Sequence, residues 1–212
     1  MVAAVIAGAG VAYELGLMLL GTVTVGSTER ANAVVLGAAM FGMGVGATTG
    51  GRLARRPVTA FVGVECLLAV MGAASAPILY WTWASLDAFW GPLLAVAFVL
   101  GACIGAEMPL LAALNDRLAE QKAATVVAAF TAADYFGALV GAVAFGFVIR
   151  PWLGLVDGTI VVAVVNVAMA AAVAVIVPSR RTGMVVVTVA AASVGLILVA
   201  ASADRVTDNG RQ

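Results

Sequence analysis

The chain has 212 residues, 64% of them hydrophobic and 10% charged, with a mean hydropathy of +1.12, whereas soluble domains carry about 25% charged residues. Its 11 basic and 11 acidic residues cancel, which removes the electrostatic ground for a nucleic-acid partner. With no histidine, and with Cys66 and Cys103 both inside apolar runs, there is almost no material for a zinc site or a Cys/His catalytic pair. The two cysteines read as buried reduced thiols, and no metal, cofactor or catalytic residue is expected from this composition.

A bilayer core about 30 Å thick calls for about 20 apolar residues of helix, and segments of that length recur between short polar breaks. The fold class expected is all-α: a polytopic membrane helix bundle of about seven transmembrane helices in one domain. The spans fall at 2–25, 31–51, 58–81, 91–113, 124–149, 157–177 and 183–203, with a short polar tail at 204–212. The short breaks imply antiparallel neighbouring helices. No Lys or Arg precedes the first run, which is also too long for the core of a signal peptide, so it is expected to be a retained span.

The first span carries Tyr13 and Glu14 in "GAGVAYELGLMLLGTV", near mid-membrane. In the second, Gly42, Gly46 and Gly50 recur at intervals of four, which places them on one helix face where another backbone can approach closely. Glu65 falls about seven residues into the third span. Tyr80, Trp81, Trp83, Trp90 and Trp152 cluster at the breaks, where amphipathic rings favour the headgroup region. The fourth span holds Gly101, Gly105 and Glu107, followed by Pro109, and a proline in a helix interior removes a hydrogen bond and bends the chain, re-aiming Glu107. The fifth holds Asp134 together with Ala133, Gly137 and Gly141 at the same four-residue interval.

Glu14, Glu65, Glu107 and Asp134 all lie inside spans, and no Lys or Arg lies at comparable depth. Each costs about 2.5 to 3.5 kcal/mol at a helix centre, too much for decoration. With a rise of about 1.5 Å per residue, Glu65, Glu107 and Asp134 sit roughly 9 to 15 Å below the same face. The four acids are expected to line one acidic vestibule with its floor at Tyr13 and Glu14. Such carboxylates either share protons or hold a cation; alternatively each is protonated and bonded to a neighbouring helix or to a residue such as Asn166.

Arg52, Arg55, Arg56, Arg117, Lys122, Arg180 and Arg181 fall on one side of the expected membrane; Arg30, Arg150, Arg205 and Arg211 fall on the other. The positive-inside rule therefore puts "RLARRP" and the N-terminus in the cytoplasm, in the cytoplasmic (inner) membrane.

Several segments taken together, "GAGVAYELGLMLLGT", "FGMGVGATTGGRLARR", "FVGVECLLAVMGA", "GACIGAEMPLLAAL" and "AADYFGALVGAVAFGFVIRPWLGL", resemble the membrane domain of the membrane-bound spermidine synthase-like proteins. The likeness covers nearly all of residues 8–178 and rests on the order and spacing of its motifs. It implies an N-terminal membrane part that precedes a Rossmann-type aminopropyltransferase domain. No "GGGDG"-like segment occurs here, so this chain alone is not expected to transfer aminopropyl groups. The resemblance implies a polyamine, or a separate aminopropyltransferase domain, as partner besides the lipid bilayer, with Tyr13 and Glu14 as part of a "YE" motif. "GMGVGATTGGRLARR" is also similar, more loosely, to a cytoplasmic loop of major facilitator superfamily carriers. Binding or passage of a polyamine or other cation through the acidic vestibule is therefore weighed against a proton- or cation-coupled transporter and against a plain anchor or scaffold, the glycine faces also admitting a homo-oligomer. Seven spans starting inside leave the C-terminus outside, in conflict with a cytosolic catalytic domain.

Overall fold

A computed structural model describes residues 1–118, 123–177 and 182–209, and every regular element among them is helical. Helix α1 (Val2–Val25) stops at Gly26, whose positive φ of 71° lets its N–H bond back to the Thr22 carbonyl at 2.9 Å, a left-handed cap that closes the last turn. Helix α2 (Thr28–Leu53) follows at once. Pro57 opens α3 (Pro57–Leu86), where its missing N–H and fixed φ cost nothing. Helix α4 spans Trp90–Leu118 and α5 spans Ala123–Ala144.

The sequence separates the fifth and sixth spans by a polar break at "RPWLGLVD". The structure carries the helix past Arg150 and Pro151, through one π-helical turn at Phe145–Ile149 into α6 (Arg150–Ile176), and breaks it inside that stretch, at Gly154. Pro151 falls in the first turn of α6, where it needs no hydrogen-bond partner, so its presence does not end the helix. The departure comes at Gly154, where φ 82° and ψ −170° kink the run. Helix α7 (Thr182–Asn209) continues into the segment expected as a polar tail. Among the described residues, α1, α2, α3, α4 and the combined run Val127–Ile176 are long and apolar enough to cross a membrane, and α7 contributes the shorter apolar stretch Val186–Val199. About seven separate spans were expected; among the described residues there are five long apolar runs, one of which, Val127–Ile176, is interrupted at Gly154. Lys122, Arg180, Arg181 and Arg211, used for the charge bias, lie outside the described residues.

Consecutive helices are also not the main packing partners. The most extensive contacts join α2 to α4, α1 to α5 and α3 to α6, while α2 barely touches α3 and α5 only grazes α4. Glycine explains the first two pairs. A methyl group on Gly42, Gly46 or Gly50 would strike the backbone of Phe98, Ala102 or Ala106 in turn; Gly101 and Gly105 meet Ala39 and Met43 in the same manner. Both series rise together along the chain, so α2 and α4 run parallel. Gly137 and Gly141 of α5 likewise close on Ala4 and Gly8 of α1, making that pair parallel too. Small residues admit such backbone contact, and a parallel pair requires an intervening return helix rather than a tight turn.

These directions bring the start of α1, the ends of α2 and α4, and the start of α5 to one face of the bundle. Tyr135, Phe136, Leu139 and Phe147 point away from the core, as do Phe41 and Met40 of α2. An apolar exterior of this kind is compatible with a membrane protein.

Candidate functional site

Two apolar clusters make up the interior. One runs through Leu17, Leu20, Leu68, Leu93 and Phe145; the other joins Ile6, Phe61, Val62, Leu110 and Val173. On α1 the change from one to the other falls between Ile6 and Ala9, on α3 between Cys66 and Leu68, and on α4 between Cys103 and Ala106. The buried acids stand at this level.

Glu65 is 0% exposed and Glu107 4%. Their side chains meet across the α3/α4 contact. Both oxygens of Glu65 and Oε1 of Glu107 find no donor on other residues. Two carboxyls in an apolar interior cannot both be ionised without compensation, so the pair holds a proton or faces a cation. Tyr13, 1% exposed, lies within electrostatic range of both, and its hydroxyl also lacks a partner. Its ring occupies the space that a side chain at Gly72 would need, so the glycine on α3 seats the tyrosine from α1.

Asp134 reaches the group from α5. It is half-buried and acts electrostatically on Glu107, and with Glu107 it lines a cavity of about 150 Å³ whose walls include Ile6, Met43, Ile104, Met108 and Leu111. The cavity lies towards the face where α1 begins and α4 ends. Exposure falls in order from Asp134 through Glu107 to Glu65, so the acids form a graded series leading inwards. Among the described residues no three acids or cysteines converge as a metal-binding group.

Glu14 is placed differently. One residue along a helix turns the side chain by about 100°, and no neighbouring charge acts on Glu14 as Glu65 and Glu107 act on Tyr13. Its Oε1 is nevertheless buried without a partner. Asn166 on α6 is 0% exposed with both amide atoms unpartnered, so no hydrogen bond joins it to the carboxyls. By contrast, three buried hydroxyls satisfy themselves within their own helices: Ser75 donates to the Gly72 carbonyl at 2.6 Å, Thr159 to Val156 at 2.8 Å and Thr82 to Leu79 at 3.1 Å, the usual retreat of short polar side chains in helices. A carboxyl cannot do this, because it offers the helix carbonyls nothing unless protonated.

Pro109, expected to re-aim Glu107, packs its ring against Gly50 of α2. Cys66 and Cys103 are free and buried, one beside Glu65 in sequence and the other a turn before Glu107. The wall residues Met43, Met108 and Ile104 were not legible as site residues, since apolar residues in apolar spans carry no distinguishing mark; Gly72 was signalled only by the small-residue run "GAAS".

Polyamine aminopropyltransferase 1 of Streptomyces coelicolor is 39% identical to this chain over 194 residues, which is 92% of the chain and 36% of the relative. Polyamine aminopropyltransferase 2 of the same organism is 40% identical over 176 residues, and the polyamine aminopropyltransferase of Mycobacterium tuberculosis is 34% identical over 201. The chain is homologous to one part of the polyamine aminopropyltransferases. It corresponds to only a part of these relatives, covering 32% of the second Streptomyces protein and 38% of the mycobacterial one. This agrees with the family that the motifs resemble. No protein-family description matches the chain, and no solved structure does.

Proposed function

We propose that this bundle is the membrane part of a polyamine aminopropyltransferase system and that its interior acids receive the ammonium end of a polyamine. One observation carries the reading: the cavity between α1, α2, α4 and α5 combines two carboxyls, Glu107 and Asp134, with walls of Ile, Leu and Met. An alkylammonium asks for both, a carboxylate for the charged head and apolar surface for the methylene stem. A bare metal ion asks instead for several converging oxygens. The relatives' names supply the substrate class, polyamines; Glu65 and Tyr13 form the inner end of the site, and the catalytic step belongs to a transferase domain outside this segment.

The charge bias orients the cavity mouth, which shares a face with "RLARRP", towards the cytoplasm. A polyamine would then enter from the compartment in which it is made. Equilibrium dialysis of labelled spermidine against the purified protein in detergent tests the reading. Wild type binds saturably, and the Glu107→Gln, Asp134→Asn double variant binds at least about ten-fold more weakly, as expected for the loss of charge-assisted contacts. Equal binding by both proteins, or none by either, rejects it.

A further inference from the structure

We infer that cation binding at this site is an exchange: an ammonium group arriving in the cavity displaces one proton from Glu107, while Glu65 keeps its own proton and donates it as a hydrogen bond to the newly formed carboxylate. The inference rests on the proposed polyamine site and deepens it by naming its coupling to protons and the separate roles of its acids.

Three observations converge. Glu107 alone belongs to both the cavity wall and the buried pair, so it is the one carboxyl that an entering cation and Glu65 can reach together. Glu65 does not line the cavity, is 0% exposed, and has both oxygens without a donor from other residues. A carboxyl so enclosed is stable when neutral, and a neutral carboxyl is a hydrogen-bond donor. Independently of the acids, Tyr13 brings a fully buried, unpartnered hydroxyl into electrostatic range of both glutamates, a further polar group that ionisation of Glu107 would engage.

The groups that face Glu107 are Glu65 on α3, Asp134 on α5, Tyr13 on α1 and, one turn back on its own helix, Cys103. None is basic. With no fixed positive charge acting on it among the described residues, ionisation of Glu107 must be compensated by whatever enters the cavity. The balance is simple: Glu107 carboxylic acid and R–NH3⁺ become the Glu107 carboxylate paired with R–NH3⁺, and one proton leaves past the half-buried Asp134 at the mouth. Net charge inside the site is unchanged by the exchange, which is what makes it tolerable in an apolar interior.

Glu65 is therefore a positioning residue, and the experiment separates it from Glu107 by proton count. Spermidine is titrated calorimetrically into the purified protein at neutral pH in two buffers of different ionisation enthalpy. Wild type should release about one proton per spermidine bound, and its affinity should rise up to about ten-fold per pH unit while Glu107 is protonated in the free protein. Any residual binding by Glu107→Gln should release none. Glu65→Gln retains a donor and should bind within about three-fold of wild type, whereas Glu65→Leu has none and should bind at least about ten-fold more weakly. Thermal melting of each variant separates lost folding from lost binding.

Binding by wild type with no proton released overturns the exchange while leaving the polyamine site standing. Equal affinities for folded Glu65→Leu and Glu65→Gln overturn the donor role. Absence of any spermidine binding by wild type removes the site itself, and the exchange with it.

Discussion

Glu65 of α3 and Glu107 of α4 meet side chain to side chain inside the bundle, and among the described residues no positive charge acts on either. Such a pair is a poor way to stabilise a fold. Replacing both partners of a buried polar contact by apolar groups of similar shape is close to neutral or stabilising, with gains of about 1 to 4 kcal/mol on record for ionic cases. The Glu65→Met, Glu107→Met double variant should therefore melt in detergent at or above the wild-type temperature while losing spermidine binding. A clear drop in melting temperature would mean that the pair is structural.

Gly72 seats the ring of Tyr13. Gly72→Ala should destabilise the protein by about 1 to 3 kcal/mol, the usual cost of forcing extra volume into a packed interior. Adding Tyr13→Ala should recover part of that loss, because the two changes act on one contact. Strict additivity in a denaturation series would place the clash elsewhere.

Neighbouring glycines of α2 should behave in opposite ways. A methyl group at Gly46 runs into the backbone of Ala102, whereas at Gly44 it meets nothing within 4 Å. Gly46→Ala is expected to lower stability by about 1 to 3 kcal/mol, and Gly44→Ala to leave it unchanged or raise it by up to about 1 kcal/mol through helix propensity. Similar melting temperatures for the two variants would contradict the parallel α2/α4 contact.

At Gly154 the constraint is the backbone alone: φ is 82° and no neighbour lies within 4 Å of the added carbon. Gly154→Ala should cost about 1 to 3 kcal/mol, the strain of a conformation that is essentially reserved for glycine. Gly63→Ala, in equally open space within α3, is the control and should be neutral or better. Matching losses in unfolding experiments would argue against the kink.

Hydropathy made the helices legible because burying an unpaired backbone in lipid is prohibitive, so long apolar runs leave little choice. Helix pairing was not legible in the same way. The stripes at Gly42, Gly46, Gly50 and at Gly101, Gly105 are visible as faces, but nothing in a uniformly apolar helix says which face meets which, and the parallel pairing of α2 with α4 comes only from their interleaved backbones. The break at "RPWLGLVD" is present but narrower than its polar residues suggest: Arg150 and Pro151 stay in the helical run, as a proline in a first helical turn can, and the interruption falls at Gly154. Tyr13 and Glu14 are adjacent in sequence and were taken together; helical geometry turns them apart, leaving the tyrosine with Glu65 and Glu107. The grading of the acids from Asp134 inwards depends on packing depth, which spacing along the chain does not contain.

Entry of a polyamine to Glu107 can be read directly by labelling the purified protein with dicyclohexylcarbodiimide, which modifies carboxyls in apolar surroundings, with the modified residues located by mass spectrometry with and without spermidine. Glu107, reached through the cavity it shares with Asp134, should be modified, and saturating spermidine, but not an equal concentration of sodium chloride, should suppress that modification. Glu107 labelling that spermidine leaves unchanged would contradict such entry.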